Sequence, residues 1–167
     1  MHYYESAYPV LASTDGVAYE IYLSGCRGYC PGCHSPHTHD FSVGLDLNDS
    51  TIMTKLIENI RTKYNKGLID NLVIIGGEPL DNPDEELLSF IQLLRSEFPK
   101  CKLWLYTHFE RSEVELSHKA VLDALDYVKC GMFDQSKYSD QGFKDPLTGV
   151  LLATSNQYFI KGGYGGK

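Results

Sequence analysis

The sequence predicts an α/β fold in which helices cover a mostly parallel sheet. Short apolar segments of strand length alternate with longer segments whose apolar residues recur every three or four positions. This alternation is typical of strand–helix–strand units, whose strands run parallel. The 167 residues are enough to bury one sizeable core, and neither a repeat nor a second domain is visible. We therefore expect one domain over residues 1–167.

The predicted strands begin with the clearest pattern. In residues 17–24, large apolar side chains occupy every second position, which is the period of a strand. Residues 68–75 are largely apolar and end in the turn Gly76-Gly77-Glu78-Pro79, as expected of a buried strand. Further strands are predicted at residues 102–107, 127–130 and 157–160.

Three helices are predicted between these strands. They run from a cap within residues 48–50 to a stop at Gly67, from Asn82-Pro83 onward, and over residues 117–125. Residues 31–47 are rich in His, Ser, Pro, Thr and Gly and indicate a loop. We expect the glycine-rich residues 161–167 to form a flexible tail.

Composition and charge narrow the classes of partner. The net charge is −7 without a basic stripe, which argues against a nucleic-acid partner. No apolar run is long enough to cross a bilayer, and the amino terminus shows no secretory signal, so we expect a cytoplasmic protein. In a reducing compartment, clustered thiols are metal ligands or catalysts rather than disulfides. Cys101 and Cys130 lie in apolar segments and are expected to be buried small residues.

Three further cysteines form the most specific motif. Cys26, Cys30 and Cys33 have the spacing Cys-x3-Cys-x2-Cys. Three thiolate ligands leave one coordination position open, which is typical of a reactive site. The ligand type favours an iron–sulfur cluster over zinc. A tetrahedral zinc site completed by a nearby histidine stays open as an alternative, and the candidates are His34, His37 and His39.

The cysteine motif belongs to a larger constellation. It follows the first predicted strand, Gly76-Gly77-Glu78-Pro79 follows the second, and Thr107-His108 follows the third. Ligands of parallel sheets bind at the carboxyl ends of the strands. The three segments are therefore expected to form one site.

The two motifs together resemble the radical S-adenosylmethionine (SAM) superfamily. Other segments between residues 8 and 160 resemble, within that superfamily, the activases of anaerobic ribonucleotide reductase: Leu23-Ser24-Gly25-Cys26, Cys30-Pro31-Gly32-Cys33-His34, Leu103-Trp104-Leu105-Tyr106-Thr107, Asp126-Tyr127-Val128-Lys129-Cys130-Gly131 and Thr154-Ser155-Asn156-Gln157. His39 departs from the family pattern, because an aromatic residue usually follows the threonine of this loop.

The resemblance implies a fold, a reaction and partners. The fold would be a partial (β/α) barrel of the radical SAM type. Three thiolates would hold three irons of a 4Fe-4S cluster, and SAM would chelate the fourth. Reductive cleavage of SAM would yield a radical that abstracts hydrogen from a backbone glycine in the reductase large subunit. The implied electron donor is flavodoxin, and a homodimer is a possible assembly.

The resemblance also implies a set of site residues. The cluster ligands are Cys26, Cys30 and Cys33, and the SAM contacts include the turn Gly76, Gly77 and Glu78. Tyr29 and His34 would lie near the cluster or the adenine. Thr107 and His108 would contact the methionine or the ribose, and Lys129 would contact the SAM carboxylate. Asn156 and Gln157 either contact the ligand or hold the end of the sheet. The alternative functions are a radical SAM enzyme acting on a small molecule and a zinc-binding interaction module.

Overall fold

A seven-stranded mixed sheet organises the protein, for which a computed structural model describes residues 1–164. The strands of this sheet are β1 (His2–Val10), β2 (Ala18–Leu23), β3 (Leu45–Asp46), β4 (Asn71–Gly76), β5 (Lys102–Tyr106), β6 (Tyr127–Cys130) and β9 (Tyr158–Lys161). Two further strands, β7 (Tyr138–Lys144) and β8 (Leu151–Thr154), lie outside it. The helices are α1 (Ser50–Tyr64), α2 (Asp84–Glu97), α3 (Arg111–Ser117) and α4 (Lys119–Asp123).

The strand order in the sheet is β3-β1-β2-β4-β5-β6-β9. The four central strands, β2, β4, β5 and β6, are parallel, whereas β1, β3 and β9 add antiparallel edges. The α/β class with a mostly parallel sheet is thus confirmed. The pairs Leu23–Gly76 and Tyr106–Lys129 lie in register, so the carboxyl ends of the central strands meet at one edge.

The first two helices follow their sequence patterns. Asp49 is the N-cap of α1, and its carboxylate accepts the N–H groups of Thr51 and Ile52 at 2.8 and 3.3 Å. Along α2, Leu87, Ile91 and Leu94 recur every three or four residues and are buried against the sheet. The core of the protein therefore lies between these helices and the parallel strands.

The helix predicted over residues 117–125 is present as the shorter α4, whereas the preceding helix α3 was not predicted. The two helices meet at His118, whose φ of −128° is not helical. The helical region starts earlier than predicted because Glu110 and Glu113 form a reciprocal capping box with each other's backbone N–H groups. The sequence did not indicate this helix start, because the N-cap residue is a glutamate, whereas Ser or Thr normally occupies that position.

Four of the described strands, β1, β3, β7 and β8, have no counterpart in the sequence prediction. β3 is only two residues long and lies at the end of the predicted loop 31–47. β1 was missed because it lies near the edge and its side chains are half exposed, so no apolar alternation marks it. β7 and β8 form a separate antiparallel hairpin. Val150 and Leu152 of this hairpin region pack with Val73, Trp104 and Phe159 on the sheet face opposite the large core. Both faces of the central strands are consequently covered, which explains their continuous apolar sequences.

The structure also locates the remaining cysteines and the carboxyl-terminal segment. Cys101 and Cys130 are fully buried, as predicted. Backbone N–H groups of Gly162, Gly163 and Tyr164 bond to carbonyls of the α4 region at 2.8–3.1 Å, so residues 161–164 of the expected tail are attached to the body. The rest of that prediction, 165–167, lies outside the described residues. Within the described part of the chain, every helix is too short or too polar to cross a membrane.

Candidate functional site

A cavity of about 180 Å³ lies at the carboxyl ends of β2, β4, β5 and β6. The cysteine loop (residues 24–39), the turn 76–78 and the pair Thr107-His108 all line it, which confirms that the three segments converge. Ten of the eleven residues to which the sequence analysis gave a site role face this cavity: Cys26, Cys30, Cys33, His34, Gly76, Gly77, Glu78, Thr107, His108 and Lys129. The eleventh is Tyr29.

Backbone hydrogen bonds close the cysteine loop on itself. The N–H of Gly25 donates to the carbonyl of Thr38 at 2.7 Å, and the N–H of Cys26 donates to that of His39 at 3.1 Å. The N–H of Cys33 bonds to the carbonyl of Cys30 at 3.0 Å. Because of these bonds, the two ends of the fourteen-residue segment 26–39 lie side by side. All three thiols face the cavity.

The sulfur atoms already receive hydrogen bonds. Backbone N–H groups of Gly28 and Ser35 lie 3.3 and 3.4 Å from the sulfurs of Cys26 and Cys33. Burial raises the pKa of Cys26 to about 11 and also raises the pKa of Cys30. Without metal these thiols hold their protons at neutral pH, so iron binding must release them.

The thiol geometry bears on the kind of metal site. Among the described residues, no three His, Cys, Asp or Glu side chains are grouped closely enough to hold a single ion. An iron–sulfur cluster makes a different demand, since each thiolate binds a different iron and the sulfurs stand further apart. Three thiols that line the same cavity fit such a cluster.

The glycines of the turn 76–78 are required by the chain itself. Gly76 has a φ of +121°, and a Cβ there would lie 2.4 Å from the carbonyl oxygen of Leu23. A Cβ on Gly77 would lie 2.4 Å from the carbonyl oxygen of Gly25. The two glycines therefore allow the end of β4 to approach the start of the cysteine loop, and not only a ligand to approach the turn. The N–H of Glu78 donates to the carbonyl of Gly25 at 2.7 Å and stabilises this contact.

Glu78 joins two loops. Its side chain is 1% exposed, and one carboxylate oxygen accepts the N–H of Leu80 at 3.0 Å. The other accepts the backbone N–H of His108 at 2.6 Å and lies 3.2 Å from the Nδ1 of that histidine. Burial raises the pKa of Glu78, while His108 and the N–H donors act in the opposite direction. The carboxylate therefore ties the turn after β4 to the loop after β5.

Lys129 brings a buried amine to the cavity. It is 9% exposed, which excludes the alternative of a solvated lysine at the strand end. Its Nζ donates to the carbonyl of Gly131 at 3.2 Å and lies 5.6 Å from the ring centre of Tyr106. Burial lowers the pKa of Lys129 to about 8. An anionic ligand group would gain strongly from such a poorly solvated cation.

The structure differs from the prediction at Tyr29. Its side chain is 85% exposed and lies outside the cavity lining, with its ring edge-on to His39 at 6.0 Å. The neighbouring prediction, His34, does line the cavity and packs against Phe133 at 5.0 Å between ring centres. Position next to a ligand cysteine does not decide whether a loop side chain turns inward.

Several cavity residues were missed or left undecided by the sequence. Tyr106 is the last residue of β5 and Ile75 the second-last residue of β4, so their positions near strand ends were a usable signal. Phe133 carries no such signal. Asn156 donates to the carbonyl of Met132 at 2.8 Å, whereas Gln157 lines the cavity and donates to Gly131 at 3.4 Å. Asn156 therefore holds the end of the sheet without lining the cavity, whereas Gln157 holds the end of the sheet and also lines the cavity.

Comparison with known proteins agrees with this geometry. The sequence pattern of the 4Fe-4S single cluster domain matches residues 12–145, most of the chain. The chain belongs to this family. The matched range contains the three cysteines, the turn 76–78 and Lys129, so the family pattern spans the cavity lining except for Gln157.

Several relatives that share one name match most of this chain. An anaerobic ribonucleoside-triphosphate reductase-activating protein of Haemophilus influenzae is 28% identical over 136 residues, 80% of this chain and 86% of that protein. The protein so named in Escherichia coli K12 is 27% identical over 156 residues, 92% of this chain and 95% of that protein. Its namesake in Enterobacteria phage T4 is 24% identical over 127 residues, 75% of each.

Proposed function

We propose that this protein is a radical SAM activase that generates the glycyl radical of anaerobic ribonucleotide reductase. The carrying observation is the convergence of three thiols, a glycine turn and a buried lysine in one cavity. The names of the relatives support the reductase as the target. When bound, the cluster supplies one electron to SAM, whose cleavage provides the radical that takes hydrogen from a backbone glycine.

In this proposal the chain's own residues bind and orient the reactants. Cys26, Cys30 and Cys33 hold the cluster, and the backbone N–H groups at their sulfurs keep the thiolates in place. Lys129 pairs with the carboxylate of SAM, which its burial and its place on the cavity wall support. Glu78 keeps the turn after β4 and the loop after β5 at a constant separation.

The finer fold and the assembly belong to the same proposal. The order β2-β4-β5-β6 of parallel strands with intervening helices supports a partial (β/α) barrel of the radical SAM type. We also propose a single domain, a flavodoxin-type electron donor, and a homodimer or a complex with the reductase. Five free cysteines support a reducing compartment, which we take to be the cytoplasm.

The test is anaerobic reconstitution followed by mixing with the reductase of the same organism. We expect iron and sulfide in cluster stoichiometry, SAM cleavage under reduction, and a glycyl doublet in the electron paramagnetic resonance spectrum of the reductase. Cys30→Ala should abolish all three, whereas Cys101→Ala, at a buried thiol outside the cavity, should retain them.

Two outcomes would favour the competing functions. SAM cleavage without a glycyl doublet would indicate a radical enzyme for a small molecule. Stoichiometric zinc with no iron uptake after reconstitution would indicate the zinc-binding module. Zinc in aerobically purified protein alone decides nothing, because empty thiolate sites take it up readily.

A further inference from the structure

One histidine side chain contacts a proposed cluster ligand. The Nε2 atom of His39 lies 3.6 Å from the sulfur of Cys33, within hydrogen-bond range for sulfur, and the residue lines the cavity. Within residues 1–164, the other hydrogen-bonding contacts to the three sulfurs come from backbone groups, at Gly28, Ser35 and Phe133. Backbone donors are present whatever the sequence, so His39 is the contact that a substitution can remove.

The loop holds this imidazole in place. The carbonyl of His39 accepts the N–H of Cys26 at 3.1 Å, and its own N–H donates to Pro36 at 3.3 Å. The exposed ring of Tyr29 packs edge-on against the imidazole. His39 thereby links two ligand cysteines, one through its backbone and one through its side chain, and Tyr29 gains a role outside the cavity.

The same distance also fits a different arrangement. Two ligands of one tetrahedral zinc ion, with bonds of about 2.3 Å to sulfur and about 2.0 Å to nitrogen, place those atoms about 3.5 Å apart. Such a site needs further ligands at the same point, and the described residues contain no group of three His, Cys, Asp or Glu side chains that supplies them. The geometry favours the hydrogen bond.

We propose that His39 donates an N–H···S hydrogen bond to the Cys33 thiolate and raises the reduction potential of the cluster. This inference rests on the proposed function only in that the thiols hold a 4Fe-4S cluster. A metal-bound thiolate has no proton, so it can only accept, and Nε2 must carry the hydrogen. The reduced cluster is more negative, hence the bond stabilises it more than the oxidised cluster.

Potentiometric titration of the reconstituted protein without SAM or reductase tests this. His39→Phe keeps an aromatic ring for Tyr29 but removes the donor, and should shift the midpoint to a more negative potential. His39→Gln retains an N–H and should fall between His39→Phe and the unsubstituted protein. The matched control is His37→Phe, two residues away on the same loop, exposed and packed on Tyr4, which should leave the potential unchanged.

A second measurement covers the case in which His39→Phe fails to take up iron. Pulsed electron paramagnetic resonance of the reduced, unsubstituted protein labelled with ¹⁵N-histidine should show a weak nitrogen coupling that His39→Gln removes. Absence of that coupling, or an unchanged midpoint in fully loaded His39→Phe, overturns the proposal while leaving the activase function intact. A strong coupling, typical of direct ligation, overturns it in favour of a histidine ligand. If the unsubstituted protein takes up no cluster, the proposed function fails as well.

Discussion

At the scale of single residues, the cavity depends on side chains that act on other parts of the chain as much as on a ligand. The family resemblance assigns Glu78 to SAM binding. In the structure, however, its carboxylate oxygens accept the N–H groups of Leu80 and His108. We therefore interpret it as a positioning residue. Lys129 differs, because its Nζ has one backbone acceptor and faces the cavity.

Glu78→Gln should loosen both loops. The amide offers one acceptor oxygen and directs its NH₂ group at donors, so at least one charge-assisted hydrogen bond is lost. We expect a loss of about 2 kcal/mol and a fall in Tm of about 4–8 °C in the cluster-free protein. SAM affinity of the reconstituted protein should fall by about tenfold. Thermal unfolding and calorimetric titration measure the two effects.

The matched control for that variant is Glu85→Gln, an exposed carboxylate on α2. Its stability should change by no more than about 0.5 kcal/mol. A Glu78→Gln protein that melts and binds like the control would show that the carboxylate does not hold the loops.

Lys129→Met should separate stability from binding. Because burial lowers the pKa of Lys129 to about 8, its charged form costs stability at every pH below about 8. The cost then falls as the pH rises from about 8 toward the ordinary value of 10.5. The cluster-free variant should therefore be more stable than the unsubstituted protein at pH 7, and this advantage should shrink between pH 8 and 10. SAM binding should weaken at least tenfold.

Melting temperatures across that pH range provide the measurement. Lys66→Met removes an exposed lysine far from the cavity and should have the same Tm as the unsubstituted protein at each pH. A Lys129→Met protein that is less stable at pH 7 would contradict the assigned cost of the buried charge.

At the scale of elements, the parallel strands position the site and the helices stabilise them. Each central strand ends at the same edge and delivers one segment to the cavity. α1 and α2 contribute no residue to its lining and act through the core. Changes in these helices that leave the core in place should consequently alter stability without altering cluster binding.

Asp49→Ala tests that separation. The N-cap carboxylate accepts two backbone N–H groups, so its removal should cost about 1 kcal/mol and lower Tm by about 2–4 °C. Iron content after reconstitution should stay unchanged. Asp49→Asn retains a capping oxygen and should recover most of the loss. A drop in iron uptake in the alanine variant would show that the helix and the site are coupled.

At the scale of the whole molecule, the site is assembled from the ends of four strands that lie far apart in the sequence. A ligand that contacts several of them stabilises the folded state of the whole sheet. For the reconstituted protein at a SAM concentration of about 100 times its Kd, the expected gain is about 2.7 kcal/mol, or about 5–11 °C in Tm. Anaerobic thermal scans with and without SAM measure it, and Cys30→Ala, lacking a proposed ligand, should show little shift.

Most of the secondary structure was predictable because it depends on local patterns. The alternation in β2 and the helical periodicity of α2 reflect burial of one strand or helix face, and both elements lie where expected. The region 110–125 was predicted poorly, since a glutamate pair caps its first helix and His118 interrupts it while contacting Asp84 at 2.7 Å. The second of these features depends on a residue 34 positions away, which no local pattern contains.

The amino-acid sequence was enough to identify the candidate ligands and their order along the strands, because the spacing of Cys26, Cys30 and Cys33 and the turn at residues 76–78 are properties of the covalent chain. Which neighbouring side chains reach the candidate site follows from the three-dimensional packing alone. Lys129 is buried, Tyr29 is exposed, and His39 meets Cys33. Burial and distance between segments arise from packing across the sheet, and one residue's neighbours in sequence do not specify them.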